Sequence, residues 1–255
     1  MRAPDEQLRT VVVGASSGLG RCLGTGLAER GHHVALLARR LDRLNEAASE
    51  AGNGAVAIRC DVTDETSCRD AVAEASRALG GIDALVYATA TGPLGRLVDV
   101  DAATWRLVLD TNVVGAALVT SAAVPHLAAS GGVAAYLSSV SATSTPPWPG
   151  LGAYIVSKAA LERLIDAWRA EHPGIGFTRV TVGDCAGGEG HSMTEFASGW
   201  DPELAAQMAP IWSTRNYLSG SLLAVEELVH AVDTVLRYDA GTSVPSITVA
   251  PRHLG

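Results

Sequence analysis

The sequence predicts an α/β fold built on one doubly wound parallel sheet, in a single domain that covers residues 1–255. Short apolar runs rich in β-branched residues alternate with helical patterns along the whole chain. The runs are continuously apolar, as in strands that are buried on both faces, and no linker or repeat divides the chain. Apolar residues make up 47% of the 255 residues and charged residues 18%, which is typical of a globular protein with a sizeable core.

The first part of the chain alternates strand and helix without interruption. Gly31 and Gly52 follow two of the helical patterns as stop signals, and Asp64 is placed to cap the third. The predicted elements are strands at residues 8–13, 34–38, 55–60 and 82–87, and helices at residues 19–30, 41–51 and 64–79.

The second part continues the pattern with one exception. Its predicted elements are helices at residues 102–128, 153–171 and 225–238, and strands at residues 133–137, 176–182 and 246–249. The exception is residues 183–222, a stretch of roughly forty residues that is rich in Gly, Ser, Trp and Met. A segment of that length between a strand and a helix is usually a lid or a binding element, so we expect a substrate lid there.

Composition excludes several classes of partner. Acidic residues outnumber basic ones by 27 to 19, a net charge of −8, which argues against nucleic acid or an anionic membrane surface. No Asp, Glu, Lys or Arg occurs at residues 111–157, but Pro125, Gly131 and Gly132 interrupt that stretch, so it predicts buried core rather than a membrane span. Four cysteines without a C-x-x-C pair indicate reduced thiols and a cytoplasmic location, and seven histidines without ligand spacing predict no metal site.

A glycine-rich turn links the first predicted strand to the first predicted helix. Its spacing, G-x-x-x-G-x-G, allows a tight turn and a close approach of the backbone to a pyrophosphate, as in Rossmann-type dinucleotide sites. No Gly-Lys-Ser/Thr follows, which excludes the phosphate loop of NTPases. A glycine-rich turn that binds no ligand is the alternative. The predicted cofactor-binding residues of this turn are Gly14, Ser16, Ser17, Gly18, Leu19 and Gly20.

The end of the second predicted strand indicates which dinucleotide binds. The strand ends in Ala38, Arg39 and Arg40, with no acidic residue until Asp42. An acidic residue there would bind a ribose 2′-hydroxyl, whereas an arginine accommodates a 2′-phosphate, so Arg39 predicts NADP(H); a solvated arginine is the alternative. Asp61, after the third strand, is either an acceptor for an adenine amine or an ordinary turn residue.

The catalytic prediction rests on a tyrosine and the only lysine of the chain. Tyr154 and Lys158 are four residues apart on a predicted helix, so both side chains can act on one site. An ammonium nearby favours a phenolate, and we therefore expect Lys158 to lower the pKa of Tyr154. Tyr154 would then exchange a proton with a carbonyl or alcohol oxygen, and Ser139, at the end of the preceding strand, would hold that oxygen.

Together these residues resemble the short-chain dehydrogenase/reductase family, in its short single-domain branch, over nearly the whole chain. The resemblance implies that Tyr154 is the general acid–base, that Lys158 also holds the nicotinamide ribose, that Ser139 orients the carbonyl and that Asn112 anchors a water in a proton relay. It also implies hydride exchange between the nicotinamide and the substrate carbon, and assembly into a homodimer or homotetramer in which the helices at residues 102–128 and 153–171 pair between subunits. The positions that carry the resemblance are Gly14, Gly18, Gly20, Asp61, Val62, Asn112, Ser138, Ser139, Tyr154 and Lys158.

The sequence departs from the family pattern at three places. The fourth strand ends in Tyr87-Ala88-Thr89-Ala90 rather than in an Asn-Asn-Ala-Gly-like turn, and the sixth leads into Val182-Gly183-Asp184 without the usual Pro-Gly and threonine. We retain Ala88, Gly183 and Val62 as predicted cofactor contacts. The third departure is an ambiguity between Ser139 and Ser141, in which we prefer Ser139 because residues 145–149 read as a lengthened loop.

The predicted function is an NADPH-dependent ketoreductase or alcohol dehydrogenase, and the alternative is a non-catalytic NADP(H)-binding sensor on the same fold. Aromatic residues near the expected cleft favour an apolar small molecule, including cyclic ones, as the substrate; that these rings only pack the lid is the alternative. These are Trp148, Phe196, Trp200, Trp212 and Tyr217. An apolar stripe on the helix at residues 153–171 is the candidate oligomer surface, or else an internal face; it consists of Leu161, Leu164, Ile165 and Trp168.

Overall fold

A computed structural model describes residues 2–3, 6–218 and 220–252. Seven strands form one parallel sheet in the order β3-β2-β1-β4-β5-β6-β7, which confirms the predicted doubly wound fold. The strands are β1 (Arg9–Val13), β2 (His33–Ala38), β3 (Val56–Arg59), β4 (Ala84–Tyr87), β5 (Val133–Ser139), β6 (Gly176–Val182) and β7 (Ser246–Val249).

Helices cover both faces of the sheet. The helices α1, α2 and α9 pack on one face, and α3, α5 and α7 pack on the other, each against its own cluster of buried side chains. The helices are α1 (Gly18–Glu29), α2 (Leu41–Ala51), α3 (Glu65–Leu79), α4 (Ala102–Leu109), α5 (Gly115–Ser130), α6 (Val140–Thr143), α7 (Gly152–Glu171), α8 (Pro202–Thr214) and α9 (Val225–Leu236).

The strand order reverses direction between β1 and β4. In sheets of this kind a crevice opens at that point, beyond the carboxyl ends of the strands. The turn after β1 and the turn after β4 both lie at this edge, and the carboxyl end of β5 lies beside them. The fold thereby brings together residues that are far apart in the sequence.

The predicted helix at residues 102–128 differs from the observed one. A π-helical segment, Asp110–Val114, separates α4 from α5, and it contains Asn112. A π-helical turn inserts one extra residue into the helical path and is frequent at functional sites. Apolar spacing does not reveal such an insertion, because the flanking turns keep the helical period.

The combined helical stretch Ala102–Ser130 is long and apolar enough, by length and composition, to cross a membrane. In the structure its buried side chains belong to the protein core. Val119, Ala123 and Leu127 pack in the same cluster as residues of β4, β5 and α3.

The apolar stripe on α7 is an internal face rather than an oligomer surface. Leu161 and Ile165 are fully buried, and Leu164 and Trp168 pack against the same cluster beneath the sheet. This packing is that of the internal face given as the alternative for the stripe, and the oligomer itself stays a prediction.

Candidate active site

One cleft with a volume of about 1410 Å³ runs along the carboxyl edge of the sheet. Asn112 and Asp61 are the two predicted site residues that do not line it. The predicted residues that do are Gly14, Ser16, Ser17, Gly18, Leu19, Gly20, Arg39, Val62, Ala88, Ser139, Tyr154, Lys158 and Gly183.

The glycine-rich turn has the geometry of a cradle for a phosphate group. Gly14 has a φ of +92°, and a Cβ there would lie 2.6 Å from Thr89 Oγ1; a Cβ at Gly20 would collide with the Gly14 carbonyl oxygen. Helix α1 starts at Gly18 with its N-terminus at the cleft, where the first backbone N–H groups of a helix favour an anion. The residues at this turn therefore fit a dinucleotide.

Two arginines follow β2, and the second has the specific contacts. Arg39 is exposed, whereas Arg40 donates to Ser17 Oγ at 2.7 Å and to Ser16 Oγ at 3.2 Å. The Arg40 guanidinium and the two hydroxyl groups thus form a cluster of donors beside the glycine turn. The sequence interpretation assigned this role to Arg39 alone and missed Arg40, which also lines the cleft.

Asp61 takes part in a local turn. Its Oδ1 accepts from the Thr63 backbone N–H at 3.0 Å and from the Thr63 hydroxyl at 2.7 Å. Burial opposes the charged form, but the Thr63 hydrogen bonds and the nearby Arg39 and Arg59 keep the pKa of Asp61 below its usual range. Asp61 thus has the contacts of an ordinary turn residue, which was the alternative to an adenine-binding role. Its neighbours Cys60 and Val62 line the cleft. Its contact with an adenine stays a prediction.

The predicted serine and tyrosine meet at the carboxyl end of β5. Ser139 is the last residue of β5 and caps the short helix α6. Its hydroxyl lies 2.9 Å from Ser141 Oγ, and Ser139 acts to lower the pKa of the Tyr154 phenol. Ser139 and Ser141 both line the cleft with Tyr154, so the preference for Ser139 stays a prediction.

Burial shifts the pKa of both members of the Tyr154–Lys158 pair. Burial raises the pKa of Tyr154 to about 12, although the hydrogen bond from Ser139 acts in the opposite direction. Burial lowers the pKa of Lys158 to about 8, and the nearby Glu162 carboxylate opposes this. The Lys158 ammonium donates to the Leu137 carbonyl at 2.7 Å and lies 5.8 Å from the Tyr154 ring centroid. Burial is the largest influence on the pKa of Tyr154 here and the Lys158 charge is not among its causes, so the lowering by Lys158 stays a prediction.

Asn112 supports the site from behind the cleft. Its side chain is fully buried, donates to the Thr91 carbonyl and to Ser157 Oγ at 2.8 Å each, and accepts from the Thr91 N–H at 2.8 Å. It therefore joins the segment after β4 to α7, the helix that carries Tyr154. Both amide hydrogens are used by the protein, and the water-anchoring role remains a prediction.

The comparison with known families decides the identity. A sequence model of the family described as short chain dehydrogenase matches residues 9–196. This chain belongs to the short-chain dehydrogenase/reductase family. The assignment confirms the resemblance that the motifs indicated.

The relatives of this short-chain dehydrogenase/reductase are named for different substrates: two are named as dehydrogenases of ring compounds, and a third, from Emericella nidulans, is named as a glycine betaine reductase and is 30% identical over 95% of this chain and 18% of that protein. The chain is 30% identical to a cis-4-hydroxycyclohexanecarboxylate dehydrogenase from Sinomonas cyclohexanicum over 94% of this chain and 93% of that protein. It is 36% identical to 11-beta-hydroxysteroid dehydrogenase A from Sesamum indicum over 68% of this chain and 51% of that protein. Most of the curated relatives are longer, and the chain spans between 18% and 59% of their length.

Solved structures show the same architecture. A short-chain type dehydrogenase/reductase from Mycobacterium marinum superposes with a TM-score of 0.79 and 26% identity, over 94% of this chain and 93% of that one.

The two unusual turns of this short-chain dehydrogenase/reductase have local explanations. After β4, Thr89 lies against Gly14, and Thr91 is held by Asn112, so this turn is fixed by contacts other than those of the usual asparagines. After β6, a Cβ at Gly183 would lie 2.7 Å from Ala250 Cβ, which requires a glycine where the chain passes the end of β7. Both turns line the cleft.

Parts of residues 183–218 and 220–222 of this short-chain dehydrogenase/reductase line the cleft, and their role as a lid stays a prediction. They include α8, whose N-terminus is capped by the carboxylate of Asp201 and whose first residue is Pro202. An aspartate followed by a proline is a typical start of a helix, so the sequence held a signal for α8. Most of the aromatic side chains predicted near the substrate pack together here. Trp148 lies 5.6 Å from both Trp212 and Tyr217 between ring centroids, and Phe196 meets the Tyr154 ring edge-on at 4.8 Å.

A buried carboxylate behind Lys158 was not identified from the sequence. Glu162 is 2% exposed and lies four residues after Lys158 on α7. It accepts from Ser138 Oγ at 2.7 Å, Thr143 Oγ1 at 3.0 Å and Arg179 Nη1 at 2.9 Å. The sequence held a signal for this carboxylate, because Tyr154, Lys158 and Glu162 are spaced four residues apart and therefore share one face of a helix.

Proposed function

We propose that this protein is an NADP(H)-dependent ketoreductase or alcohol dehydrogenase that acts on an apolar small molecule, including cyclic ones. The observation that carries the proposal is that Ser139, Tyr154 and buried Lys158 line the same cleft as the glycine-rich turn. An acid–base group and a dinucleotide cradle in one cleft are what carbonyl reduction with a nicotinamide needs.

The cofactor would be held by groups along the whole cleft. Its pyrophosphate fits the turn from Gly14 to Gly20 and the N-terminus of α1, and Lys158 would hold the nicotinamide ribose. Arg40, Ser16 and Ser17 offer charged and neutral donors for a 2′-phosphate, with Arg39 exposed beside them. A bound nicotinamide supplies or accepts the hydride of the reaction.

The proton chemistry belongs to Tyr154. With its pKa raised to about 12, the phenol is protonated at neutral pH and is ready to donate to the oxygen of a carbonyl that is being reduced. Ser139, which lines the same cleft, would hold the same oxygen in place. In the oxidative direction the phenol must first lose its proton, which burial opposes.

The substrate wall is mainly aromatic at the catalytic end of the cleft. Trp148, Phe196, Trp200 and Trp212 line it together with Leu151. Flat aromatic surfaces favour apolar and ring-shaped ligands. Two relatives are named as dehydrogenases of a hydroxycyclohexanecarboxylate and of a hydroxysteroid, which agrees with this substrate class.

A non-catalytic NADP(H) sensor is not favoured. A sensor needs the dinucleotide cradle but not a buried lysine, a tyrosine and a serine that converge on one another beyond it.

The cysteines Cys22, Cys60, Cys68 and Cys185 are all free thiols, which supports a proposed location in the reducing cytoplasm.

A screen of NADPH oxidation tests the proposal. The purified protein is offered apolar cyclic ketones, including a 4-oxocyclohexanecarboxylate and a 3-ketosteroid, with NADH in parallel and a linear polar ketone as comparison. We expect turnover on at least one cyclic ketone, and faster turnover with NADPH than with NADH at equal low concentration. Cofactor binding without turnover on any ketone would support the sensor instead.

A further inference from the structure

Glu195, in the segment after β6, accepts a hydrogen bond from Arg40, the arginine that we assign to the 2′-phosphate. Glu195 Oε2 accepts from Arg40 Nη1 at 2.9 Å, and Glu195 Oε1 accepts from Arg43 Nη1 at 2.5 Å. Ser17 also acts to stabilise the charged form of this carboxylate. Glu195 thus lies on two guanidinium groups that come from more than 150 positions earlier in the chain.

The electrostatic environment confirms that this cluster favours an anion. The side-chain hydrogen bond from Arg43, with those from Arg40 and Ser17, lowers the pKa of Glu195 to about 2. The carboxylate side chain is 38% exposed, so solvent and a competing anion both have access to it. A site that stabilises one carboxylate so strongly will also stabilise a phosphate, which carries more charge and more acceptor oxygens.

We propose that Glu195 is a specificity-determining residue that competes with the 2′-phosphate of NADP(H) for Arg40 and Arg43. The inference rests on the proposed function, since it assigns the 2′-phosphate to the Arg40 cluster. The carboxylate acts as an internal anion that must leave before the phosphate binds, and NAD(H), which has no 2′-phosphate, does not displace it. Glu195 therefore reduces the preference for NADP(H) below the value that the arginines alone would give.

The same residue ties the catalytic end of the cleft to the cofactor end. Phe196 follows Glu195 directly, and its ring contacts Tyr154 with 4.8 Å between centroids. Thr194, on the other side, passes over the glycine turn, where a Cβ at Gly18 would lie 3.3 Å from Thr194 Cα. Displacement of Glu195 by a phosphate therefore releases an anchor at the residue directly before Phe196, whose ring contacts Tyr154.

The test uses ligands that probe the adenosine end alone. Binding of 2′,5′-ADP and 5′-AMP is measured by calorimetry for the wild type, Glu195→Gln and Glu189→Gln. Glu189 is an exposed glutamate in the same segment with no ion pair among the described contacts, and it is the matched control. Thermal melting confirms that each variant is folded.

We expect Glu195→Gln to tighten 2′,5′-ADP by about threefold to tenfold, which is the scale of one partly exposed ion pair, and to leave 5′-AMP within about twofold. Glu189→Gln should bind both ligands as the wild type does. Equal effects on both ligands, no effect on either, or weaker binding of 2′,5′-ADP would each overturn the inference.

The failure of the proposed cofactor preference would look different. In that case the wild type would bind 2′,5′-ADP no better than 5′-AMP, and Arg40→Ala would change neither. If the wild type does prefer 2′,5′-ADP and Arg40→Ala removes the preference, while Glu195→Gln has no effect, only the role of Glu195 is refuted.

Discussion

At the scale of single residues, contacts rather than residue type separate Arg39 from Arg40. Both have the charge that a 2′-phosphate requires. Arg40 donates hydrogen bonds to the Ser16 and Ser17 hydroxyl groups, whereas Arg39 is exposed. The sequence predicts that an arginine at the end of β2 selects NADP(H), but it does not show which one, because neighbouring side chains there point in different directions.

The two arginines are separated by replacing each with alanine. We expect Arg40→Ala to weaken NADPH binding by about tenfold to a hundredfold, since hydrogen bonds to charged groups contribute about 1.5–3 kcal/mol. Arg39→Ala should weaken it less, and neither variant should change NADH binding. Dissociation constants from fluorescence titration check this, and a larger loss in Arg39→Ala would return the role to the residue favoured by the sequence.

The raised pKa of Tyr154 predicts how the reaction depends on pH. An acid whose pKa is raised keeps its proton to higher pH, so reduction at saturating NADPH should be nearly flat between about pH 6 and about pH 7, below the pKa of about 8 of Lys158. Alcohol oxidation needs the phenolate, so at saturating NADP⁺ its rate should rise steadily over the same range without a plateau. A plateau for oxidation near neutral pH would show that the pKa of Tyr154 is lowered in the working complex.

At the scale of elements, the sequence identified every strand of the sheet and its approximate ends, because doubly buried strands are continuous apolar runs. It did not identify the π-helical turn, since one inserted residue leaves the apolar pattern of the flanking helix unchanged. It also missed the network of Glu162, because burial of that carboxylate depends on Ser138, Thr143 and Arg179, which come from other elements.

The link made by Asn112 between two elements can be tested through stability. Asn112→Ala leaves the Thr91 N–H and carbonyl without their partners, which should lower the free energy of unfolding by about 1–3 kcal/mol. Asn45→Ala, at an exposed position of α2, is the control and should change it by less than about 0.5 kcal/mol. Urea denaturation measures both. Equal stability of the two variants would mean that water replaces the asparagine.

At the scale of the whole molecule, the two helical elements that we expected to build an oligomer present apolar side chains other than the predicted stripe. Leu107 on α4, Val114 in the π-helical turn and Val156 on α7 are 51%, 45% and 49% exposed. Helix α4 and the π-helical turn both lie against α7. We therefore retain the homodimer or homotetramer as a proposal, with these residues as its contact surface.

Sedimentation tests the oligomer. We expect a mass that is two or four times 26.3 kDa for the wild type, and a shift toward 26.3 kDa for the double variant Val114→Asp, Val156→Asp, because two buried charges without partners oppose association. A wild type that sediments at 26.3 kDa at every concentration contradicts the proposal.

The central claim is that Tyr154 donates the proton in a carbonyl reduction, and turnover of Tyr154→Phe tests it most directly. The variant keeps the ring against Phe196 and loses only the phenol hydroxyl. On a ketone that the wild type reduces, we expect turnover to fall by about 10²–10⁴-fold while NADPH binding stays within about twofold. Tyr217→Phe, which removes a phenol from the ring stacked on Trp148, is the control and should stay close to wild type. Near-normal turnover of Tyr154→Phe, with NADPH still bound, would contradict the account.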